Sequence, residues 1–286
     1  MASPTFRELG RLVLPPLLAK SLARLWPSNQ RSVLEYAPEG WNTLSGNTGI
    51  QGWDNESVIA AEVAKWQSFR ENLEGTGPLG FSHEHTDLSE VRNIYFHNIH
   101  ITYAYVLALA ARNKTELSML DWGGGLGHYY LLGKALLPDV SLQFDCREVP
   151  MMCEAGKKLC PEIRFHADDR CLENRYDLVM VNGSLGYFEN WKELLGRITQ
   201  TVNRYFFLTR VLTVKDFPSF VVLQHTDIYD YKSDMLTQVF NEKEILDVVA
   251  SSGLRLVREF VVGDRVAIAG APELPRDCGW LFERPS

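Results

Sequence analysis

The fold class is decided by one stretch of the chain, Leu117-Ser118-Met119-Leu120-Asp121-Trp122-Gly123-Gly124-Gly125-Leu126-Gly127. An apolar run ends in a carboxylate, Asp121, and passes directly into a glycine loop. Glycine permits positive φ and lets a ligand come close to the backbone. A helix that opens after such a loop offers amides that have no intrahelical partner. The pattern therefore predicts a strand, a ligand-binding loop and a helix in immediate succession.

The spacing of the glycines separates two classes of ligand. A dinucleotide site needs GxGxxG, in which the third glycine lets the helix pack on the strand. Gly123 and Gly125 fit, but the third position is His128, and the loop reads GxGxG through Gly127. This loop resembles motif I of the class I S-adenosylmethionine-dependent methyltransferases. Asp121 suits that ligand, because a strand-end acid can pair with the ammonium group of the methionine moiety and would repel a pyrophosphate.

From Leu117 onward, apolar runs alternate with helical patterns at short spacing, which is typical of a βαβ fold. The predicted strands cover residues 117–121, 141–147, 163–166, 177–181 and 205–209. The predicted helices cover 127–137, 151–159, 191–202 and 242–251. After Arg210 we expect an irregular segment up to about residue 240. Two final strands, 254–261 and 265–269, are predicted to form a hairpin around Gly263 and Asp264.

The resemblance to methyltransferases implies further cofactor contacts, in the order of the strands. Glu148 with Val149 follows the second strand, where an acid binds the ribose hydroxyls. Asp168 and Asp169 follow the third strand, where the adenine lies, although a solvated loop charge explains Asp169 equally well. Ser184 follows the fourth strand. The implied fold is a Rossmann-like, seven-stranded, mostly parallel sheet with an antiparallel C-terminal strand, plus a helical N-terminal extension, and the implied cofactor is S-adenosylmethionine.

A narrower resemblance extends from Glu35 to about Val261. The chain is similar to a family of methyltransferases encoded in bacterial lipopolysaccharide and polysaccharide gene clusters. The shared features are Glu35-Tyr36-Ala37-Pro38-Glu39-Gly40-Trp41, Gly52-Trp53, His97-Asn98, the run from Leu120 to Tyr130, Glu148-Val149-Pro150, Gly183-Ser184-Leu185, Thr209-Arg210 and Gln224. This resemblance implies methyl transfer to a sugar or glycan precursor and leaves the acceptor atom open.

The residues before the glycine loop are predicted to be mostly helical. Asp54 or Asn55 can cap a helix over 56–73, and Asp87 or Ser89 can start a longer one that reaches residue 111. We therefore divide the chain into three parts. They are a basic amphipathic arm at 1–31, a helical cap at 32–115, and a catalytic domain at 116–286 with an insert at 211–240.

The charge distribution limits the partners. The 286 residues carry 29 Lys and Arg against 36 Asp and Glu, a net charge of −7. Residues 1–31 hold five cations and one acid, or +4, which leaves 24 − 35 = −11 for the rest. The charge therefore excludes a generally basic surface of the kind that binds nucleic acid. The expected partner is a small molecule or glycan. We expect the arm either to pack on the body or, through residues 1–27, to contact anionic lipid. The oligomeric state stays open.

The expected location is the cytoplasm, with the inner face of the membrane as the alternative that the arm leaves open. No apolar run reaches the length of about 20 residues that spans a bilayer. The five cysteines are odd in number and form no CxxC pair, which favours buried thiols in a reducing compartment.

The catalytic candidates are two histidines. Methyl transfer is an in-line displacement in which a base for the acceptor is optional. His225 lies in the predicted insert and His97 lies on the second helix, where His97 and His100 share a face at a spacing of three. A structural role is the alternative for each, and His128 is expected to support the glycine loop. We predict no metal site, although His83 and His85 together with the pair His97 and His100 offer a possible ligand set.

The substrate candidates are aromatic and amide side chains, which core packing explains equally well: Tyr129, Tyr187, Gln224 and Tyr229, with Tyr231 nearby. Two rival functions remain at this point. One is a nicotinamide-dependent oxidoreductase, which the position of His128 disfavours. The other is a non-catalytic protein of the methyltransferase fold. A methyltransferase that acts on a non-sugar metabolite is a variant of the main prediction.

Overall fold

The structure is a computed structural model that describes residues 33–44, 50–84, 91–226 and 229–285. The predicted arm, its membrane contact and His85 lie outside the described residues. Within those ranges, no helix combines the length and the apolarity that crossing a bilayer requires.

The described part of the chain contains ten strands and six α-helices. In order they are β1 (Leu34–Tyr36), α1 (Glu56–Glu74), α2 (Ile94–Ala110), β2 (Glu116–Trp122), α3 (His128–Leu136), β3 (Ser141–Arg147), α4 (Pro150–Leu159), β4 (Arg164–His166), β5 (Tyr176–Asn182), α5 (Trp191–Gln200), β6 (Val202–Val214), β7 (Phe220–Gln224), β8 (Met235–Asn241), α6 (Glu242–Ser251), β9 (Arg255–Arg265) and β10 (Arg276–Glu283).

The strand order confirms the predicted fold class. Strands β4, β3, β2, β5 and β6 are neighbours in that order and are parallel. β10 pairs antiparallel with β6, and β9 pairs antiparallel with β10, so β10 alone is reversed in this set of seven. A Rossmann-like, mostly parallel sheet with one antiparallel C-terminal strand is the class I methyltransferase fold that the glycine loop predicted.

Both faces of the sheet are covered, because successive side chains of a strand point to opposite faces. Leu117 and Met119 of β2 pack with α2 and α3 in one core. Leu120 and Trp122 of the same strand pack with α5 and α6 in another. The five cysteines are free and buried, as expected.

The predicted position of the turn in the C-terminal hairpin was wrong. β9 continues through Gly263 and Asp264 to Arg265, and its partner is β10, with Cys278 opposite Val261. Gly263 serves a different purpose, since a Cβ there would lie 3.1 Å from the ring of Tyr95. The glycine marks a close approach of α2 and not a tight turn.

The segment predicted to be irregular is largely strand. β6 extends to Val214, and β7 pairs antiparallel with β8. β8 joins the end of β6 in parallel, and β1 adds to the outer edge of β7. The sheet thereby grows beyond its seven core strands on the side where the carboxyl end of β6 lies.

The two N-terminal helices match the prediction in kind. Asn55 caps α1, because its side chain accepts the amide of Ser57. The predicted start of the second helix was wrong. α2 begins at Ile94, behind Asn93, whose side chain accepts the amide of Tyr95.

Candidate functional site

The glycine loop lies at the carboxyl end of β2 and requires glycine at its alternate positions. Gly123, Gly125 and Gly127 have φ values of 76°, 60° and 99°, a region that favours glycine. A Cβ added at Gly123 would overlap the side chain of Ser184, and one at Gly127 would overlap Ile163. The loop therefore presents bare backbone to the cleft, as the sequence predicted.

Asp121 carries a carboxylate that is fully buried and without a partner. It is 0% exposed, and neither carboxylate oxygen has a hydrogen-bond partner among the described residues. Burial raises the pKa of Asp121 well above its usual range, and the neighbouring Glu148 adds to the effect. A buried anion is costly unless a cation pairs with it. Asp121 lines the cleft, so a cationic group of a ligand is the partner that fits.

Glu148 and Val149 meet the loop from β3. One carboxylate oxygen of Glu148 accepts the amide of Gly125 at 3.1 Å, and the other accepts the amide of Val149 at 2.8 Å. Burial raises the pKa of Glu148, and these amides oppose the rise. Each oxygen keeps a further lone pair for a hydroxyl. Glu148, Val149 and Met152 line the same cleft as Asp121.

Asp168 and Asp169 do not line the cleft. Asp168 is exposed and pairs with Arg170 at 2.9 Å. Asp169 pairs with Arg147 at 3.3 Å and with Arg197 at 2.8 Å. Their carboxylates are thus occupied by arginines, and the adenine contact stays a prediction that rests on the resemblance alone.

The residues at the carboxyl end of β5 lie beside the glycine loop. Ser184 donates its hydroxyl to the backbone carbonyl of Trp122. Asn182 is 9% exposed, and its Oδ1 has no hydrogen-bond partner among the described residues. Both residues line the cleft, and Ser184 follows the fourth of the predicted strands, as expected.

The four predicted substrate residues come together in the cleft. Tyr129, Tyr187, Gln224 and Tyr229 all line it. The hydroxyl of Tyr187 donates to Gln224 at 2.8 Å, which fixes the amide. Burial raises the pKa of the Tyr229 hydroxyl to about 12, so the hydroxyl remains protonated at neutral pH.

The two predicted catalytic histidines lie elsewhere. His225 is buried between Asp234, 2.8 Å from its Nδ1, and Glu35, 3.5 Å from its Nε2. Gln224 faces the cleft, and the next residue of an extended chain points the other way. His97 is exposed on α2. Neither imidazole lines the cleft, so the geometry gives no support to a general-base role for either residue.

An ion pair that the sequence did not predict lies in the cleft. Arg210 binds Glu84 through both carboxylate oxygens, with 2.9 Å for the longer contact. Its Nε lies 3.3 Å from the hydroxyl of Tyr95. Arg210 has a φ of 56°, which a residue other than glycine rarely adopts. The Thr209-Arg210 motif was a signal for the arginine, but nothing in the sequence marked Glu84.

A buried carboxylate on α1 was missed as well. Glu62 is 3% exposed, lines the cleft and accepts the hydroxyl of Tyr231. Burial raises the pKa of Glu62 to about 7. Lys65 lies one turn further on and donates to the carbonyls of Glu84 at 2.7 Å and Tyr229 at 3.1 Å. The signal was that both charges fall on the apolar face of α1, beside Val58 and Trp66.

Three histidines, His83, His100 and His128, pack around the ring of Phe69. The Nδ1 of His100 is 2.7 Å from the carbonyl oxygen of Leu79, and burial lowers the pKa of His100 to about 4. His83 lines the cleft and stacks on His128, with ring centroids 4.1 Å apart. His100 is buried while His97 is exposed, so the two do not act as one pair.

A second cavity opens from the cleft past Arg210. The two share six residues, namely Glu84, Gly183, Tyr187, Arg210, Gln224 and Tyr229. The second cavity continues to Gln238 and Asp277. Asp277 accepts the hydroxyl of Tyr95 at 2.7 Å through Oδ2, and its buried Oδ1 has no hydrogen-bond partner within the described residues. The second cavity therefore adds the polar side chains of Gln238 and Asp277 to those that line the cleft.

No protein-family model matches the sequence, and no curated protein matches it either. Among solved structures, magnesium protoporphyrin IX methyltransferase from Synechocystis PCC 6803 with bound SAH has 14% identity, 80% coverage of this chain, 98% of its own and a TM-score of 0.47. The sugar N-methyltransferase from Streptoalloteichus sp ATCC 53650 has 13% identity, 66% and 87% coverage, and a TM-score of 0.44. The amino pentose methyltransferase from Micromonospora echinaspora has 13% identity, 66% coverage of this chain, 91% of its own and a TM-score of 0.45. Likenesses this distant leave the function to be argued from the site itself.

Proposed function

We propose that this protein is an S-adenosylmethionine-dependent methyltransferase that methylates a hydroxyl of a sugar or glycan precursor. The observation that carries the proposal is the unpaired carboxylate of Asp121, buried at the end of β2 beside a loop with no room for a Cβ. An ammonium group pairs with Asp121, and the hydroxyls of a ribose fit the remaining lone pairs of Glu148. A pyrophosphate would bring negative charge next to both acids.

When bound, S-adenosylmethionine supplies an electrophilic methyl group. The residues of the chain then have to align an acceptor with that methyl group. Holding the two reactants in line lowers the barrier to the displacement. Tyr187 and Tyr229 offer flat apolar faces for an acceptor ring. Gln224 and Arg210 offer polar groups to orient it.

A sugar-like acceptor is favoured by the mixture of groups around Arg210. Tyrosine rings, the amides of Gln224 and Gln238 and the carboxylates of Glu84 and Asp277 all line the second cavity, and the buried Oδ1 of Asp277 has no hydrogen-bond partner within the described residues. A polyhydroxylated molecule presents both donors for such oxygens and apolar C–H faces for the tyrosines. A non-sugar metabolite with hydroxyl groups is the second candidate.

The test is transfer of a labelled methyl group from S-adenosylmethionine into a panel of nucleotide sugars, glycans and small phenols. We expect incorporation into at least one carbohydrate by the wild-type chain and much less by the Asp121→Asn variant at the same subsaturating concentration of cofactor. Incorporation only into the phenols would overturn the sugar assignment. Binding of cofactor without transfer to any member would favour the non-catalytic alternative.

A further inference from the structure

His128 is a buried imidazole without a partner. It is 1% exposed at the first turn of α3, and neither ring nitrogen has a hydrogen-bond partner among the described residues. An unpaired buried polar group costs about 1–3 kcal/mol. Support of the glycine loop does not account for it, because a supporting histidine would make a hydrogen bond. A metal ion that accepts the lone pair of one ring nitrogen would remove the part of this cost that belongs to that nitrogen.

Two further donor groups lie beside His128. Glu62 and His83 each bring a donor atom within 4.8 Å of that of His128 and of each other. Two imidazoles and one carboxylate suit Zn²⁺ and neighbouring transition metals, whereas Mg²⁺ and Ca²⁺ prefer oxygen ligands alone. The chemistry of this donor set therefore selects the class of ion.

We propose that Glu62, His83 and His128 form a binding site for one divalent transition-metal ion at the edge of the cleft. Glu62 and His83 both line the cleft, so the ion would face a bound acceptor and could polarise its hydroxyl. This inference goes beyond the proposed function, since neither cofactor binding nor the choice of acceptor depends on it.

The carboxylate already has the support that metal ligands require. Glu62 accepts the hydroxyl of Tyr231, and Lys65 lies 3.7 Å from it. Groups in this position orient a ligand and hold its charge. Lys65 is itself bound to the carbonyls of Glu84 and Tyr229, so its ammonium has acceptors besides Glu62.

Coordination requires one ring to turn. The rings of His83 and His128 stack at an interplanar angle of 17°, and two nearly parallel rings cannot both direct an in-plane lone pair at one ion. Tetrahedral bonds of about 2.0–2.1 Å place ligand atoms about 3.3 Å apart, so a pair has to close by at most about 1.5 Å. Trp66 and Phe69 hold His128 edge-on at 4.9 and 4.7 Å. His83 lies outside any helix or strand and is the ring that turns.

The experiment uses the full chain, stripped with a chelator and then dialysed against Zn²⁺ or Co²⁺. We expect one ion per chain by elemental analysis, visible ligand-field absorption with Co²⁺, and a rise in Tm on adding Zn²⁺. Glu62→Gln, His83→Ala and His128→Asn should each weaken Zn²⁺ binding by about 10-fold or more. His97→Ala, which removes an exposed imidazole from α2, is the matched control and should bind like the wild type.

Two outcomes would overturn the inference. One is a wild-type chain that takes up no more Zn²⁺ than the His83→Ala variant. The other is a Co²⁺ spectrum that is unchanged in all three variants. Because His83 lies in an irregular segment, His83→Ala keeps the test decisive even where His128→Asn fails to fold, and circular dichroism checks the fold of each variant. Binding of S-adenosylhomocysteine by the stripped chain is measured alongside, so that a failure of the metal site is told apart from a failure of the cofactor site.

Discussion

The two sides of the cleft are built in different ways. The cofactor side consists of short turns that follow β2, β3 and β5, and each contact there joins residues at the carboxyl ends of neighbouring parallel strands. The acceptor side combines Tyr129 and Tyr187, which follow β2 and β5, with α1, residues 83–84, the end of β6 and β7, which are far apart in the sequence. The first side depends on local backbone geometry. The second depends on long-range ion pairs and on buried titratable groups.

The difference explains what could be predicted. The glycine loop, Asp121, Glu148 and Ser184 follow from a strand–loop–helix pattern in which each residue acts close to its own position in the chain. β3 and α6 match their predicted bounds for the same reason. Local pattern was therefore a sufficient guide on the cofactor side.

The acceptor side was predicted in part. Its tyrosines and Gln224 were found, but Glu84 and Glu62 were not, because their function depends on partners more than 120 residues away in the chain. His225 was chosen as a base from its place in a segment that looked irregular. The segment is a strand pair, and the alternation of β7 turns His225 away from the cleft.

The largest effect is expected on the cofactor side, from Gly123→Ala. The added Cβ would overlap Ser184, and alanine is strained at a φ of 76°. We expect affinity for S-adenosylhomocysteine, measured by calorimetry, to fall about a thousandfold, or about 4 kcal/mol. Gly196→Ala in α5 is the control, because nothing lies within 4 Å of its Cβ. It should stabilise the helix by about 0.5–1 kcal/mol and leave the affinity unchanged.

The next effect concerns the acceptor side alone. Arg210→Met removes the bidentate partner of Glu84, and because both side chains of the pair are about one-fifth exposed, we expect a cost of about 1–3 kcal/mol. We expect that loss in the free energy of unfolding, measured with urea, together with a much smaller change in cofactor affinity. Arg255→Met breaks the pair of Arg255 with Glu283. The side chain of Arg255 is 72% exposed, so this variant should lose at most about 1 kcal/mol of the free energy of unfolding. Equal losses in the two variants would argue against a structural ion pair in the cleft.

A pH dependence follows from His100. Burial lowers its pKa from 6.5 to about 4, so the folded state binds this proton less readily than the unfolded state. The contribution to stability is therefore complete above pH 6.5 and is lost as the pH falls towards 4, by at most roughly 3 kcal/mol. Urea unfolding of wild type and His100→Gln across that range checks it. The variant should show a shallower loss, whereas His97→Gln, altered at an exposed site on the same helix, should follow the wild type.

The smallest effect is expected for Tyr187→Phe. The variant removes one hydrogen bond, from the hydroxyl of Tyr187 to Gln224, which is worth about 1 kcal/mol. The ring remains in its edge contact with Trp53, 5.1 Å between centroids. We expect a modest loss of methyl transfer to whichever acceptor the panel identifies and no change in cofactor affinity. A loss of cofactor affinity as large as that of Gly123→Ala would contradict the assignment of separate roles to the two sides of the cleft.

The most direct test of the central claim is calorimetric titration of the wild-type and Asp121→Asn chains with S-adenosylhomocysteine and with NAD. We expect one molecule of S-adenosylhomocysteine to bind per wild-type chain and NAD not to bind. Asp121→Asn should weaken the binding at least about 10-fold, or about 1.4 kcal/mol, because the amide cannot pair with the ligand's ammonium group. Binding of NAD, or binding of S-adenosylhomocysteine that Asp121→Asn leaves unchanged, would contradict the assignment of this cleft to S-adenosylmethionine.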